Sequence, residues 1–207
     1  MAPLTLHYLP GACSLSVHIA LREAGLDFHL DRVDRSTPVK KTQSGEEYLH
    51  VNPKGVVPAL RIPGLGVLTE CAAILQWVAD QNPRANLAPA AGTLERYRLQ
   101  EWLNYVTADL HEVFKPLFRP TTPEAYLPFT LGLLAPRYAY VDKHLARHPY
   151  LLGDAFTVAD AYAFTVLRWA RVKKIDLAPY PHLVAYLERV GARPHVQAAL
   201  QAEGLTA

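Results

Sequence analysis

The stretch Tyr8-Leu9-Pro10-Gly11-Ala12-Cys13-Ser14 sets a thiol where a loop leaves one predicted strand and enters a helix. A helix start stabilises an anion through its unpaired N–H groups and the positive end of its dipole. A thiol there is expected to have a lowered pKa and to be partly thiolate near neutral pH. Cys13 is therefore a candidate reactive or ligand-facing thiol; the alternative is a small buried hydrophobe. Val56-Val57-Pro58 follows Lys54-Gly55 and precedes a strand. A cis bond before Pro58 would expose the backbone N–H and C=O of Val57. In Leu68-Thr69-Glu70-Cys71-Ala72 a carboxylate meets the N–H groups of a helix start. That pair suits a ligand carrying both a carboxylate and an ammonium group. It equally suits ordinary placement of an acid on the helix dipole.

Other residues offer less. His144 and His148 are four apart on a helix face, a metal-compatible spacing, but no HExxH pattern or third ligand accompanies them. No metal site is expected. The sequence holds no GxGxxG, P-loop or GxSxG, so nucleotide and acyl-hydrolase readings lack their motifs. Trp102, Tyr105, Phe114, Phe118, Tyr162, Phe164 and Trp169 read as core or interface, and some could wall an apolar cleft. The basic run Arg168-Trp169-Ala170-Arg171-Val172-Lys173-Lys174 reads as a solvated helix end with a buried Trp.

The elements that must hold these residues change character along the chain. Leu4–Leu9 alternates and stops at Pro10-Gly11, a strand. Ser14–Ala24 carries a helical stripe ending at Gly25, and 27–33 reads as a second strand. Residues 35–47 read as a loop leading to a short helix near Tyr48. A strand follows Pro58, a hairpin turns at Pro63–Gly66, and Glu70 opens a helix through Val78. The order β-α-β-α-β-β-α predicts one parallel pair with added antiparallel strands. Residues 81–92 form a Pro/Gly/Asn linker, after which strand signals vanish. Long helices are predicted over 93–118 and 123–145, the second kinked or broken at Pro128 or Pro136. Thr157 is placed as the N-cap and Asp160 as the capping-box acid of a nearly all-apolar, buried helix. Two shorter helices follow, at 182–190 and 194–202.

The expected architecture is therefore an α/β domain over 1–80, the 81–92 linker, and an all-α domain over 93–207. Half of the 207 residues are hydrophobic and 19% are charged, a globular composition. Net charge is +2, split as 8 cations against 8 anions up to residue 85 and 13 against 11 beyond it. Neither part is a basic lobe, which argues against a nucleic-acid partner. The N-terminus shows no basic n-region with a long apolar core, so no signal peptide is expected. The uncharged stretch Ala125–Pro136 contains two prolines and is too short to cross a bilayer. Two cysteines without a CxxC pattern suit a reducing compartment, the cytoplasm.

Taken together, these residues resemble the glutathione transferases, specifically the bacterial beta class. The resemblance spans the whole chain. It is carried by Pro10–Leu15, Val51–Leu60, Leu68-Thr69-Glu70, Glu101–Tyr105, Asp109-Leu110-His111, Pro116–Pro120 and Phe156–Tyr162. It implies a thioredoxin-like N-terminal domain that binds glutathione as co-substrate. It also implies a helical domain that supplies the hydrophobic second-substrate site, and a homodimer. No separate cofactor is expected.

Carried over position by position, the resemblance puts Cys13 at the glutathione sulfur, able to form a mixed disulfide with it, and Ser14 beside it. Val57, before a cis Pro58, pairs with the cysteinyl part. Glu70 and Cys71 hold the γ-glutamyl end, and Lys40 meets the glycyl carboxylate. Asn104 and His111 line the site near the sulfur, and Asp109 reaches glutathione, across the dimer in one version. Residue 71 departs from the family, which usually has Ser or Gly there; a thiol is a poorer hydrogen-bond partner.

The implied mechanism is thiolate attack on an electrophilic apolar substrate, with Cys13, Ser14, His111 and the helix dipole favouring the thiolate. A thiol pKa lowered from about 9 to nearer 7 has roughly a hundredfold more reactive anion at neutral pH. Tyr8 is expected to be structural. Two other readings stay open: a glutaredoxin-like thiol-disulfide oxidoreductase, and a non-catalytic carrier of hydrophobic ligands. Detoxification and dehalogenation in aromatic catabolism are not separable from sequence.

Overall fold

A computed structural model describes residues 3–36 and 38–206. The chain divides into two units, one made of the residues up to Ala88 with those from Arg193 onward, the other Pro89–Ala192. The first begins β1 (Leu4–Tyr8), α1 (Ser14–Glu23), β2 (Phe28–Asp34), β3 (Lys41–Thr42), α2 (Tyr48–Val51), β4 (Ala59–Ile62), β5 (Gly66–Thr69) and α3 (Cys71–Gln81). The strands form one sheet in the order β3-β2-β1-β4-β5. β1 and β2 are parallel across the α1 crossover, and the other pairs are antiparallel. This is the mixed sheet that the alternating signals predict, in the thioredoxin-like arrangement that the resemblance implies. β3 lies inside the stretch read as loop. It is two residues long, pairing with Val33 and Asp34, and too short to show alternation.

The second unit is all-helical: α4 (Leu94–Tyr105), α5 (Glu112–Phe118), α6 (Leu127–Leu145), α7 (Val158–Leu167), α8 (Trp169–Val172) and α9 (Pro181–Gly191). A π-helical stretch, Val106–His111, joins α4 to α5 where an unbroken α-helix is predicted. Thr107 donates its hydroxyl to the Leu103 carbonyl, which its own N–H would take in an α-helix. α6 starts later than expected, with Pro128 in its first turn, and runs on through Pro136 without a break. The capping box of Thr157 and Asp160 is present, and all ten residues of α7 are buried. In the basic run, Trp169 is buried while Arg171 and Lys174 are exposed. Among the described residues no helix is long and apolar enough to cross a membrane.

The division differs at the C-terminus from the expected 93–207 domain. α10 (Pro194–Ala202) packs on α1 in the first unit. Arg193 forms a two-pronged ion pair with Glu23 at 2.7 and 2.8 Å. Glu203 enters the first unit's interior, as described below. These are tertiary pairings across more than 160 residues, which no local pattern reports.

Both faces of the sheet are covered, differently. Leu6 and Leu60 are register partners on one face and fully buried with Leu15 and Ile19 of α1 and Ile74 and Leu75 of α3. On the other face α2 supplies Tyr48 and Val51 to a small core with Val33 and Ala59. That face is only partly apolar. Beyond α2 a cavity of about 440 Å³ is lined by Thr5, His7, Asp31, Glu46 and Arg61, among others. His7 is 1% exposed, and neither ring nitrogen has a hydrogen-bond partner. Its Nδ1 is 3.4 Å from Asp31 Oδ2, close but outside hydrogen-bond geometry. Burial pushes the His7 pKa below 6.5, outweighing the pull of Asp31.

The unfolded chain therefore takes up this proton first. Stability from His7 is full above pH 6.5 and falls as pH drops through that value. Denaturant midpoints at pH 7.5 and 5.5 should show native protein losing stability in acid. H7F should lose less, by up to about 1.4 kcal/mol per pH unit. An unchanged acid slope in H7F would exclude His7 as its source.

Candidate functional site

The thiol that opened the sequence reading sits where the β1–α1 loop becomes helix. Cys13 is the N-cap of α1. Gly11 takes a positive φ of 70°, open to glycine at little cost, which lets the loop turn back before the helix. Ser14 is fully buried, and its hydroxyl is used inside the loop: it donates to the Leu9 carbonyl and accepts from the Leu9 N–H. Its geometry is that of a loop clasp. Tyr8 is buried, and burial, then the nearby Glu203 charge, pushes its pKa upward.

A second clasp comes from the far end of the chain. Gly11 N–H donates to Glu203 Oε2 at 2.8 Å, while Glu203 Oε1 lies 2.9 Å from His18 Nδ1. Arg22 Nε–H donates to His18 Nε2 at 2.9 Å. Since Nε2 accepts, Nδ1 carries the proton of a neutral imidazole and donates to Glu203. Arg22 thus donates to His18 and His18 to Glu203, while the Gly11 N–H, two residues before Cys13, donates to the same carboxylate from the other side.

Across from Cys13 lies the Val57–Pro58 bond, which is cis. The Cys13 thiol donates to the Val57 carbonyl at 3.2 Å. The loop that presents Val57 is held one residue earlier: the Tyr48 hydroxyl and the Asn52 side-chain amide both donate to Val56 C=O at 2.7 Å. Burial pushes the Tyr48 pKa up to about 12, so its hydroxyl stays a donor. Lys40 reaches the same loop, donating to Gly55 C=O at 2.8 Å.

Glu70 and Cys71 form the third side. Glu70 is the N-cap of α3 with φ +73°, a left-handed conformation that is costly for a residue with a side chain. Its exposed carboxylate pairs with Lys54, a cation that sequence reasoning used only as a turn marker. Cys71 is the first residue of α3, and its Sγ lies 3.7 Å from the Cys13 carbonyl oxygen. The structure therefore brings Cys13, Val57, Pro58 and Cys71 together in the first unit, with Glu70 adjoining.

Asn104, Asp109 and His111 belong to the second unit, along the α4–α5 run. Asn104 is exposed on α4. Asp109 and His111 are on the π-helical stretch, a feature often found at functional sites. Asp109 is ion-paired with Arg137 at 3.1 Å. His111 Nδ1 is 2.7 Å from the Tyr162 hydroxyl, and its ring packs edge-on against Trp169. Phe114 and Phe118 pack on the same Trp169, and Lys173 sits 4.2 Å over the Phe118 ring. Phe118 is 44% exposed, so this aromatic cluster keeps an open edge. His144 and His148 stack at 4.8 Å, with His144 Nε2 3.1 Å from the Leu151 carbonyl. Among the described residues no group of three His, Cys, Asp or Glu could hold a metal.

Comparison with known proteins bears on all of this. Residues 11–81 match the glutathione S-transferase N-terminal domain family, and residues 105–194 match the C-terminal domain family. The chain is 46% identical to glutathione S-transferase GstA of Escherichia coli O157:H7, over 98% of this chain and all of the relative. A glutathione transferase structure from Methylococcus capsulatus superposes with a TM-score of 0.94 at 53% identity, covering 98% of this chain and all of the other. The beta-class glutathione S-transferase of Sphingomonas chungbukensis gives 0.93 at 44% identity, with the same coverage. The chain belongs to the glutathione transferase family, and within it to the bacterial beta class.

Proposed function

We propose that glutathione lies extended along Val57, with its thiol at the start of α1 and its γ-glutamyl end at Glu70 and Cys71. The enzyme is a glutathione transferase, joining the glutathione thiol to electrophilic hydrophobic substrates. One observation carries the placement: the Cys13 thiol donates to the Val57 carbonyl, beside a cis Pro58 at the N-terminus of α1. An extended peptide pairs with both backbone groups of such a residue, as an added strand does. It would take the Val57 carbonyl from the Cys13 thiol and free that sulfur to meet glutathione. The carboxylate of Glu70 suits the glutathione ammonium. Its pairing with Lys54 is half-exposed and exchangeable, worth about 0–1 kcal/mol.

The remaining roles rest on the family. Lys40 is proposed for the glycyl carboxylate, and Asn104, Asp109 and His111 for the reacting end. In support, the Tyr162 contact at Nδ1 leaves His111 Nε2 to face a substrate. The aromatic cluster of Phe114, Phe118 and Trp169 offers an apolar wall for the electrophile. A homodimer in the cytoplasm is proposed on the same grounds.

Cys13→Ala tests the sulfur assignment. After exposure to glutathione disulfide, its intact mass should show no glutathione adduct. Conjugation of a chloronitrobenzene-type electrophile should fall by no more than about tenfold, because the helix N-terminus remains. An adduct on the Cys13→Ala protein would refute the assignment. Efficient reduction of mixed disulfides with little conjugation would favour the glutaredoxin-like reading. Tight binding of apolar compounds without turnover would favour the carrier.

A further inference from the structure

We infer that Cys71 is a resolving thiol, which attacks the Cys13–glutathione mixed disulfide, expels glutathione and leaves a Cys13–Cys71 disulfide. The inference rests on the Cys13 adduct proposed above. It adds a second activity, reversible dithiol–disulfide exchange with glutathione disulfides as substrates.

The placement of the two sulfurs carries it. Cys13 caps α1, Cys71 begins α3, and the two helices pack against each other. Cys71 Sγ is 3.7 Å from the carbonyl oxygen of Cys13. Sulfur and carbonyl oxygen of one cysteine hang from the same Cα, so the sulfurs lie less than about 9 Å apart in every rotamer, and nearer when Cys13 turns toward α3. At present the Cys13 S–H is held by the Val57 carbonyl at 3.2 Å. A glutathionylated Cys13 has no S–H to donate, so adduct formation itself removes that anchor. The Cys71 S–H donates to the Cys13 carbonyl, so that bond is given up, with the proton, before its sulfur attacks. Both residues are more than nine-tenths buried, at 7% and 6% exposure. Exchange between them is therefore sheltered from competing thiols in bulk solvent.

The electrons balance as follows. The Cys13 thiolate attacks glutathione disulfide, breaking its S–S bond and releasing one glutathione thiolate. The Cys71 thiolate then attacks Cys13 Sγ; the bond from Cys13 to glutathione breaks, and a second glutathione thiolate leaves. The leaving thiolates take up the protons that Cys13 and Cys71 gave up. The protein dithiol is oxidised, and one glutathione disulfide is reduced to two glutathiones.

The test uses the full chain as wild type, C71S and C13S, with C71A in reserve should C71S fold poorly. Each is exposed to glutathione disulfide, acid-quenched at intervals, alkylated and weighed intact. Wild type should pass through a one-glutathione adduct to a species two hydrogens lighter than the reduced chain, with no alkylatable thiol. C71S should stop at the adduct and hold it at least about tenfold longer. If wild type holds its adduct as long as C71S does, the resolving role is overturned and the Cys13 adduct stands. If neither protein takes up glutathione, both fail. An adduct forming as fast on C13S would make Cys71 the entry thiol and overturn the order of steps.

Discussion

Glu203→Ala should unfold at markedly lower denaturant than native protein, with a loss of about 3–5 kcal/mol. Its carboxylate is fully buried and takes two hydrogen bonds, from the Gly11 N–H and from His18. Removing it takes away the acceptor of the fully buried His18 Nδ1–H and of the Gly11 N–H, while Arg22 still holds His18 Nε2. Glu203→Gln is the finer probe. A side-chain amide accepts on one side only, so its NH₂ must confront either the Gly11 N–H or the His18 Nδ1–H. Switching the imidazole tautomer does not help, because Nε2–H would then face Arg22. Glu203→Gln should be less destabilised than Glu203→Ala yet show a raised KM for glutathione, since Gly11 is two residues before Cys13. Equal KM in native and Glu203→Gln proteins would show that the loop keeps its shape without this anchor.

The second large effect is expected at Asp160. Its fully buried carboxylate accepts from the Leu151 N–H, the Thr157 N–H, the Thr157 hydroxyl and the Tyr186 hydroxyl. Asp160→Ala leaves two backbone N–H groups without partners and should cost about 3–5 kcal/mol. In a chain of this length that lowers Tm by roughly 10 °C or more. Thr157→Ala, losing only its hydroxyl, should cost about 1 kcal/mol. Burial raises the Asp160 pKa to about 6 against the pull of its donors. A raised carboxyl pKa means native stability declines as pH climbs from near 4 to about 6. Asp160→Asn has no such term, so its deficit against native protein should narrow across that window. A deficit constant with pH would place the Asp160 pKa near its ordinary value.

These two carboxylates mark what could be read before any coordinates. Asp160 stands three residues after Thr157 ahead of an apolar run, so the capping box is a local pattern and is legible. The same holds for Cys13 at a loop–helix junction, for Val57-Pro58, and for Glu70 opening α3. Glu203 gave no such signal. Its partners are 192 and 185 residues away, and an isolated acid at a helix end is ordinary. His7 reads as the alternating position of a half-buried strand; only the fold shows that it is enclosed. Ser14 beside Cys13 invites a role at the sulfur, yet two bonds to Leu9 occupy it. The π-helical stretch, within which the Thr107 hydroxyl donates to the Leu103 carbonyl, falls in an unbroken helical stripe, and periodicity does not report it.

The place of α10 bears on how the protein comes into being. A chain leaves the ribosome N-terminus first, and its early segments can begin folding before later ones exist. The first unit has no such head start: α10 and Glu203 are made only after the whole of the second unit. Until they emerge, Gly11 and His18 lack their buried carboxylate, and Glu23 lacks Arg193. The loop before Cys13 thus lacks its Glu203 anchor until the last helix has been made, and a nascent chain arrested short of residue 203 would carry that loop without it.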